Sequence, residues 1–134
     1  MSGFRKERGE SLVEFAIGIT FLLVILAGIL DLGRAYFSYI ALQDAAQEGA
    51  SYASIAPGDL SGIRERVRTT SSGPIDFLSF KDSQIDVRLI GGSCAGSGIK
   101  VTISFDFNLV APFFSGNILP LSAEATDTIL QDSC

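Results

Sequence analysis

The sequence predicts an α+β protein, with one long N-terminal helix laid on a small antiparallel β-sheet. Three observations predict it. Phe15 to Leu30 is sixteen residues without a charge. Between that run and Pro57-Gly58 nothing stops a helix firmly. Beyond Gln84, apolar and polar residues alternate with the period of two that a half-buried strand requires. A chain of 134 residues has room for one domain.

The uncharged run covers roughly 24 Å at ~1.5 Å per residue, against a ~30 Å hydrocarbon core. Leu12, Val13 and Leu32 extend it, giving an expected span over residues 12–32. Arg5, Lys6 and Arg8 precede the run, and Asp31 and Arg34 follow it. The positive-inside rule then puts the N-terminus in the cytoplasm and the rest of the chain outside, in a single pass. A cleaved secretory signal would need a small-residue cut site after the run. Asp31-Leu32-Gly33-Arg34-Ala35-Tyr36-Phe37 offers no clean one.

The residues before the run are more specific. Gly9 ends a short basic leader, and Glu14 lies five residues on, among Leu12, Val13, Phe15 and Ala16. A carboxylate in a membrane span costs ~2.5–3.5 kcal/mol at the centre and less near the interface, so Glu14 needs a reason. Gly, four residues, Glu, then an aromatic opening an apolar helix resembles the signal of type IV prepilins. The stretch Arg8 to Ala16, the apolar run, Asp31 to Ala35 and Ala41 to Ala50 together resemble the TadE/TadG-like family, pseudopilins of the tight-adherence (Tad, or Flp-pilus) machinery. The resemblance covers residues 8 to about 53, and the span carries Thr20 where that family usually has Pro, which predicts a straighter helix.

The resemblance implies a type IV pilin-like fold and a cut by prepilin peptidase between Gly9 and Glu10. Residues 1–9 are then a removed leader, 10–56 the long helix, and 57–134 a small extracytoplasmic domain. Glu10 becomes the N-terminal residue, and Glu14, followed by Phe15, fixes register by meeting a new terminal amine. Implied partners are like or related pilin subunits, the peptidase, an assembly platform and membrane lipid. The implied location is the cytoplasmic membrane, then an extracellular pilus that supports adhesion. The alternative is an unprocessed, membrane-anchored binding or adhesion protein.

Beyond the span, Leu32, Tyr36, Tyr39, Ile40 and Gln43 fall along one helical stripe, with Asp31, Arg34, Asp44 and Glu48 expected on the outside. A second stripe is of small residues: Ala41, Ala45, Gly49 and Ala53, beside Ala46, Ala50 and Ser54. Small residues four apart let something approach closely. Either the chain's own sheet or a neighbouring helix fits there.

Asp59 caps a short amphipathic helix with apolar positions 60, 63 and 67, and Arg64, Arg66 and Arg68 on its solvated face. Strands are expected at residues 84–90, 99–107 and 121–130, the last slipping phase near Asp127 as a bulge would. The glycine-rich 91–98 stretch has no Gly-Lys-Ser/Thr and reads as a hairpin loop, not a phosphate cradle. Leu109, Val110, Phe113, Phe114, Ile118 and Leu119, broken by Pro112, Gly116 and Pro120, either close the core or form a contact surface for a neighbour or the membrane.

A net charge of -5 with scattered cations argues against nucleic acid as a partner. No His and no nucleophile beside a base supports an enzyme, and no cofactor or metal is expected. Cys94 and Cys134 are too far apart for a usual metal site, and an even pair in an exported segment reads as one disulfide. Closing a loop of about 40 residues contributes ~4 kcal/mol in the entropy model. Thiol labelling of the exported protein without reductant is therefore expected to find no reactive cysteine, and two labelled thiols would remove the bridge.

Overall fold

The computed structural model describes residues 4–70, 73, 75–111 and 116–131, with side chains from residue 9 onward. Cys134, Pro112, Phe113, Phe114 and the side chains of Arg5, Lys6 and Arg8 lie outside these residues. Helix α1 runs Phe4–Ile55 without a break, 52 residues and about 78 Å at ~1.5 Å each. Thr20 fits the helix by donating its hydroxyl to the Ala16 carbonyl at 2.8 Å. The helix ends one residue before Ala56-Pro57, where proline's missing N–H ends the ladder. Helix α2 covers Leu60–Thr69, and the Asp59 carboxylate caps it by accepting from the Gly62 N–H at 2.9 Å. Two 3₁₀ turns, Phe77–Ser79 and Asp82–Gln84, lead into the sheet.

The sheet is a three-stranded meander in the order β1 (Ile85–Ile90), β2 (Gly98–Asn108), β3 (Ile118–Thr128), antiparallel throughout. Gly91, Gly92 and Gly96 take positive φ in the β1–β2 hairpin loop, where a side chain would be strained. Ile99, Val101, Ile103 and Phe107 of β2 point inward and are buried. Pro120 sits on β3, an edge strand, where a missing N–H is tolerated. The phase slip near Asp127 is not a bulge: pairing with β2 continues in register from Ile118 to Thr128. The chain then leaves the sheet and turns Ile129 inward, where its N–H donates to the Ser97 carbonyl at 2.8 Å.

The sheet and α2 both pack on the C-terminal half of α1. The face they cover is the small-residue ladder, with Ala41, Ala45 and Ala53 all under 5% exposed and Gly49 buried beside them. Leu42 is the one large side chain buried from this half of α1, and it belongs to the same core as Ile63, Val67, Ile85 and the inward face of β2. The aromatic stripe points the other way: Leu32, Tyr36, Phe37, Tyr39 and Ile40 are all exposed. The backbone approach explains this, since a sheet seated on tyrosines would stand several ångströms further off and lose the contacts of its short side chains.

Asp31 also departs from expectation. It is 6% exposed, not on the outside, and its carboxylate accepts from the Val110 and Ala111 N–H groups at 2.8 and 2.5 Å. Arg34 pairs with its other oxygen at 3.2 Å and lies over the Phe107 ring.

The arginines of α2 are answered within the molecule. Arg64 and Arg68 both reach Asp82, Arg66 reaches Glu48, and Arg68 also donates to the Phe80 carbonyl at 3.0 Å. These bonds hold the segment carrying Phe77 and Phe80 against α2. Phe80 stacks on Phe105 with centroids 5.7 Å apart and closes that side of the core.

Two expectations follow from this packing. A Cβ on Gly49 would fall 2.6 Å from Val67 Cγ2, and a β-branched valine cannot turn away. Gly49→Leu should destabilise by about 1–3 kcal/mol through overpacking, more than the ~1 kcal/mol it returns in helix propensity. Thermal unfolding of the detergent-solubilised chain reads this directly. The second concerns acid. The hydrogen bond from Arg68 holds the Asp82 carboxyl below its ordinary range. A carboxyl lowered in the folded state stabilises above its unfolded value and loses that contribution as pH falls through its folded value. Asp82→Asn should therefore be less stable than the parent at neutral pH, and the two should converge below the ordinary carboxylate range in urea titrations across pH.

Candidate processing and assembly site

The N-terminal part of α1 stands clear of the domain among the described residues. From Gly9 to Leu30 no side chain is buried, and an 18-residue window of the helix has a mean hydropathy of 2.5. Twelve large apolar side chains from Leu12 to Leu30 stand 42–68% exposed. Fully burying such a side chain gains ~1.5–3 kcal/mol, so half of that over the whole set is about 9–18 kcal/mol, as large as the ~5–15 kcal/mol that holds a domain folded. A helix apolar on every side belongs in lipid or among other helices. It is long and apolar enough to serve as a single-pass membrane anchor.

Gly9, Glu10, Glu14 and Phe15 sit on the first turns of this exposed stretch. Glu10 and Glu14 are one turn apart and share a face. Glu14 has no hydrogen bond or ion pair among the described residues, although apolar side chains flank it on both sides in sequence. Nothing lies within 4 Å of a Cβ placed on Gly9. The fold therefore needs neither the glycine nor the carboxylate. Gly9 contrasts with Gly49, whose missing side chain the packing requires.

The other residues singled out by sequence fall elsewhere. Ala41, Ala45, Gly49 and Ala53 lie in the domain core, at least 40 Å up the helix from Gly9 by the ~1.5 Å rise. Cys94 lies in the hairpin loop at the far end of the sheet. Asp31 was missed as a structural carboxylate, and the signal for it was a charge placed directly against the end of the apolar run. Among the described residues, no group of three or more His, Cys, Asp or Glu stands together as metal ligands would.

Residues 9–51 match the family model of the TadE-like protein family. The match takes in the exposed apolar stretch, Gly9 to Phe15 and most of the small-residue ladder, about a third of the chain. No curated protein and no solved structure matches the chain.

Proposed function

We propose that this chain is a pilin-like structural subunit of a Tad-type pilus, cut by a prepilin peptidase between Gly9 and Glu10 and then assembled through its N-terminal helix. The observation that carries the proposal is the pair of residues the fold has no use for, Gly9 and Glu14, at the head of a bare apolar helix that matches the TadE-like family.

The cut has a physical logic on this helix. The Gly9–Glu10 bond lies inside α1, so a peptidase must first unwind it. Glycine is the residue whose helical state is weakest, by ~0.8–1 kcal/mol against alanine, so unwinding there costs least. Before the cut Glu14 sits well inside a helix. After it, Glu14 lies in the opening turns of the mature helix, close to unpaired N–H groups, the positive end of the dipole and a new α-amino group. A carboxylate that was a cost in lipid then has partners in its own subunit or a neighbouring one. Pairing across subunits sets the axial register of one helix against the next.

Assembly also uses the face that the domain leaves open. Leu32, Tyr36, Phe37, Tyr39 and Ile40 continue the apolar surface of the span out past Asp31, and another subunit's helix can cover them. The orientation is N-terminus inside and exported domain outside, and the role is structural, not catalytic. The Cys94–Cys134 bridge then closes the domain in an oxidising compartment.

Intact mass of protein recovered from membranes or sheared surface material tests the cut. The expected mass begins at Glu10, with or without one methyl group. Gly9→Val should keep the leader. Glu14→Ala should insert into the membrane at parental levels and fail to assemble. If the parent retains Arg5 to Gly9 and both variants match it, the chain is an uncut bitopic anchor.

A further inference from the structure

The end of the sheet nearest the membrane carries exposed apolar side chains that the domain does not need. Val110 is 65% exposed, Ile118 59% and Leu119 39%. The sequence holds no charged residue between Asp106 and Glu124. Strand pairing brings these residues together, since Asn108 lies opposite Ile118 and Phe107 opposite Leu119.

Their height along α1 follows from two contacts. The Gln43 side chain donates to the Glu124 carbonyl at 3.1 Å, and the Leu130 N–H donates to the Ser54 carbonyl at 2.8 Å, so β3 runs alongside α1 in the same direction. From Gln43 back to Asp31 is about 18 Å of helix, and from Glu124 back to Ile118 is about 20 Å of strand. Ile118 therefore stands level with Asp31. The Asp31 carboxylate fixes Val110 and Ala111 at the same level by accepting from both their N–H groups. Leu12 to Leu30 spans about 28 Å, which nearly fills a ~30 Å hydrocarbon core, so the outer lipid boundary falls at Asp31.

The nearest strand charge is the exposed Asp106, opposite Pro120 and about 7 Å of strand above Ile118, so it stands in the headgroup region and not at the level of the apolar side chains. The Arg66–Glu48 pair is about 25 Å up the helix from Asp31. Arg34, at the boundary itself, has its guanidinium exposed on Asp31, where lipid headgroups carry their phosphates.

We propose that Val110, Ile118 and Leu119 form a second membrane contact, seated in the outer-leaflet interface of the same bilayer that α1 spans. The contact is continuous with the span and rests on α1 crossing the membrane. It holds the domain upright on its helix before the subunit leaves the bilayer, and withdrawal of these side chains from lipid is part of the cost of extracting it.

The chain contains no tryptophan, so one introduced Trp is a clean reporter. The full-length protein is reconstituted in phosphatidylcholine–phosphatidylglycerol vesicles with brominated acyl chains, which quench Trp on contact. Four variants are compared: Leu22→Trp in the span, Ile118→Trp and Val110→Trp at the proposed contact, and Leu89→Trp near the hairpin. Leu89 pairs with Ile99, which pairs with Asp127, so it lies about 30 Å of strand from Ile118. Emission is expected to fall at Leu22, Ile118 and Val110, with shallow bromines acting more strongly at the latter two, and to persist at Leu89. Loss at Leu22 with full emission at Ile118 and Val110 overturns the second contact and leaves the span intact. A blue-shifted but unquenched Ile118→Trp overturns it too, because protein then covers that face. Full emission at Leu22 refutes the span itself, and the contact falls with it.

Discussion

One carboxylate marks the point where α1 passes from its bare apolar stretch to the part its own domain covers. Below Asp31 no residue of the helix is buried among the described residues, and from Asp31 upward one side of it is covered by its own domain. An unpartnered charge at a membrane boundary would be free to turn into water. Here two backbone N–H groups and Arg34 hold it inward, and in return it satisfies donors from a loop that has no strand partner. The long helix and the sheet domain are thereby joined at both ends of their contact, by Asp31 at one end and by the Ser54 carbonyl on Leu130 at the other.

Between those two ties the packing depends on side-chain size. A sheet can lie close along a helix only if the helix offers little but Cβ atoms, and α1 offers Ala41, Ala45, Ala46, Gly49, Ala50 and Ala53. The bulky residues of the core come from the other partners: Ile63 and Val67 from α2, Ile85 from β1, and Ile99, Val101 and Ile103 from β2. That division leaves the aromatic side of α1 with nothing to do in the monomer. Under the proposed function, the exposed Tyr36, Phe37 and Tyr39 are the face that assembly would cover.

The periodic features were legible in the sequence because they are local. The helix with its stop at Pro57-Gly58, the Asp59 cap and the alternation of β2 each depend on a few neighbouring residues. The small-residue stripe was legible as a close approach, and its occupant was not, because spacing records the room and not the tenant. The aromatic stripe was the harder case. Amphipathic pattern says that one face of a helix is apolar, and α1 is apolar on two, so pattern alone cannot rank a face of alanines above a face of tyrosines. Asp31 eluded the sequence for a related reason: its partners lie some 80 residues away, on backbone groups that carry no side-chain signal. The phase slip at Asp127 was real, but only the register distinguishes a bulge from a strand that has ended.

The processing residues invert the usual relation between structure and legibility. Gly9 and Glu14 were the most specific letters in the sequence, and neither is held by packing among the described residues. A residue that packing explains is constrained by its neighbours in the same chain. A glycine with open space around it and a carboxylate without a partner, at the head of a bare apolar helix, are constrained by no contact among the described residues. The proposed function supplies the missing constraint from outside: an enzyme that handles the unfolded turn at Gly9 and a second chain that brings a positive charge to Glu14. On the proposed reading the N-terminal end is completed by processing and assembly, which give a carboxylate that would be costly in lipid its partners.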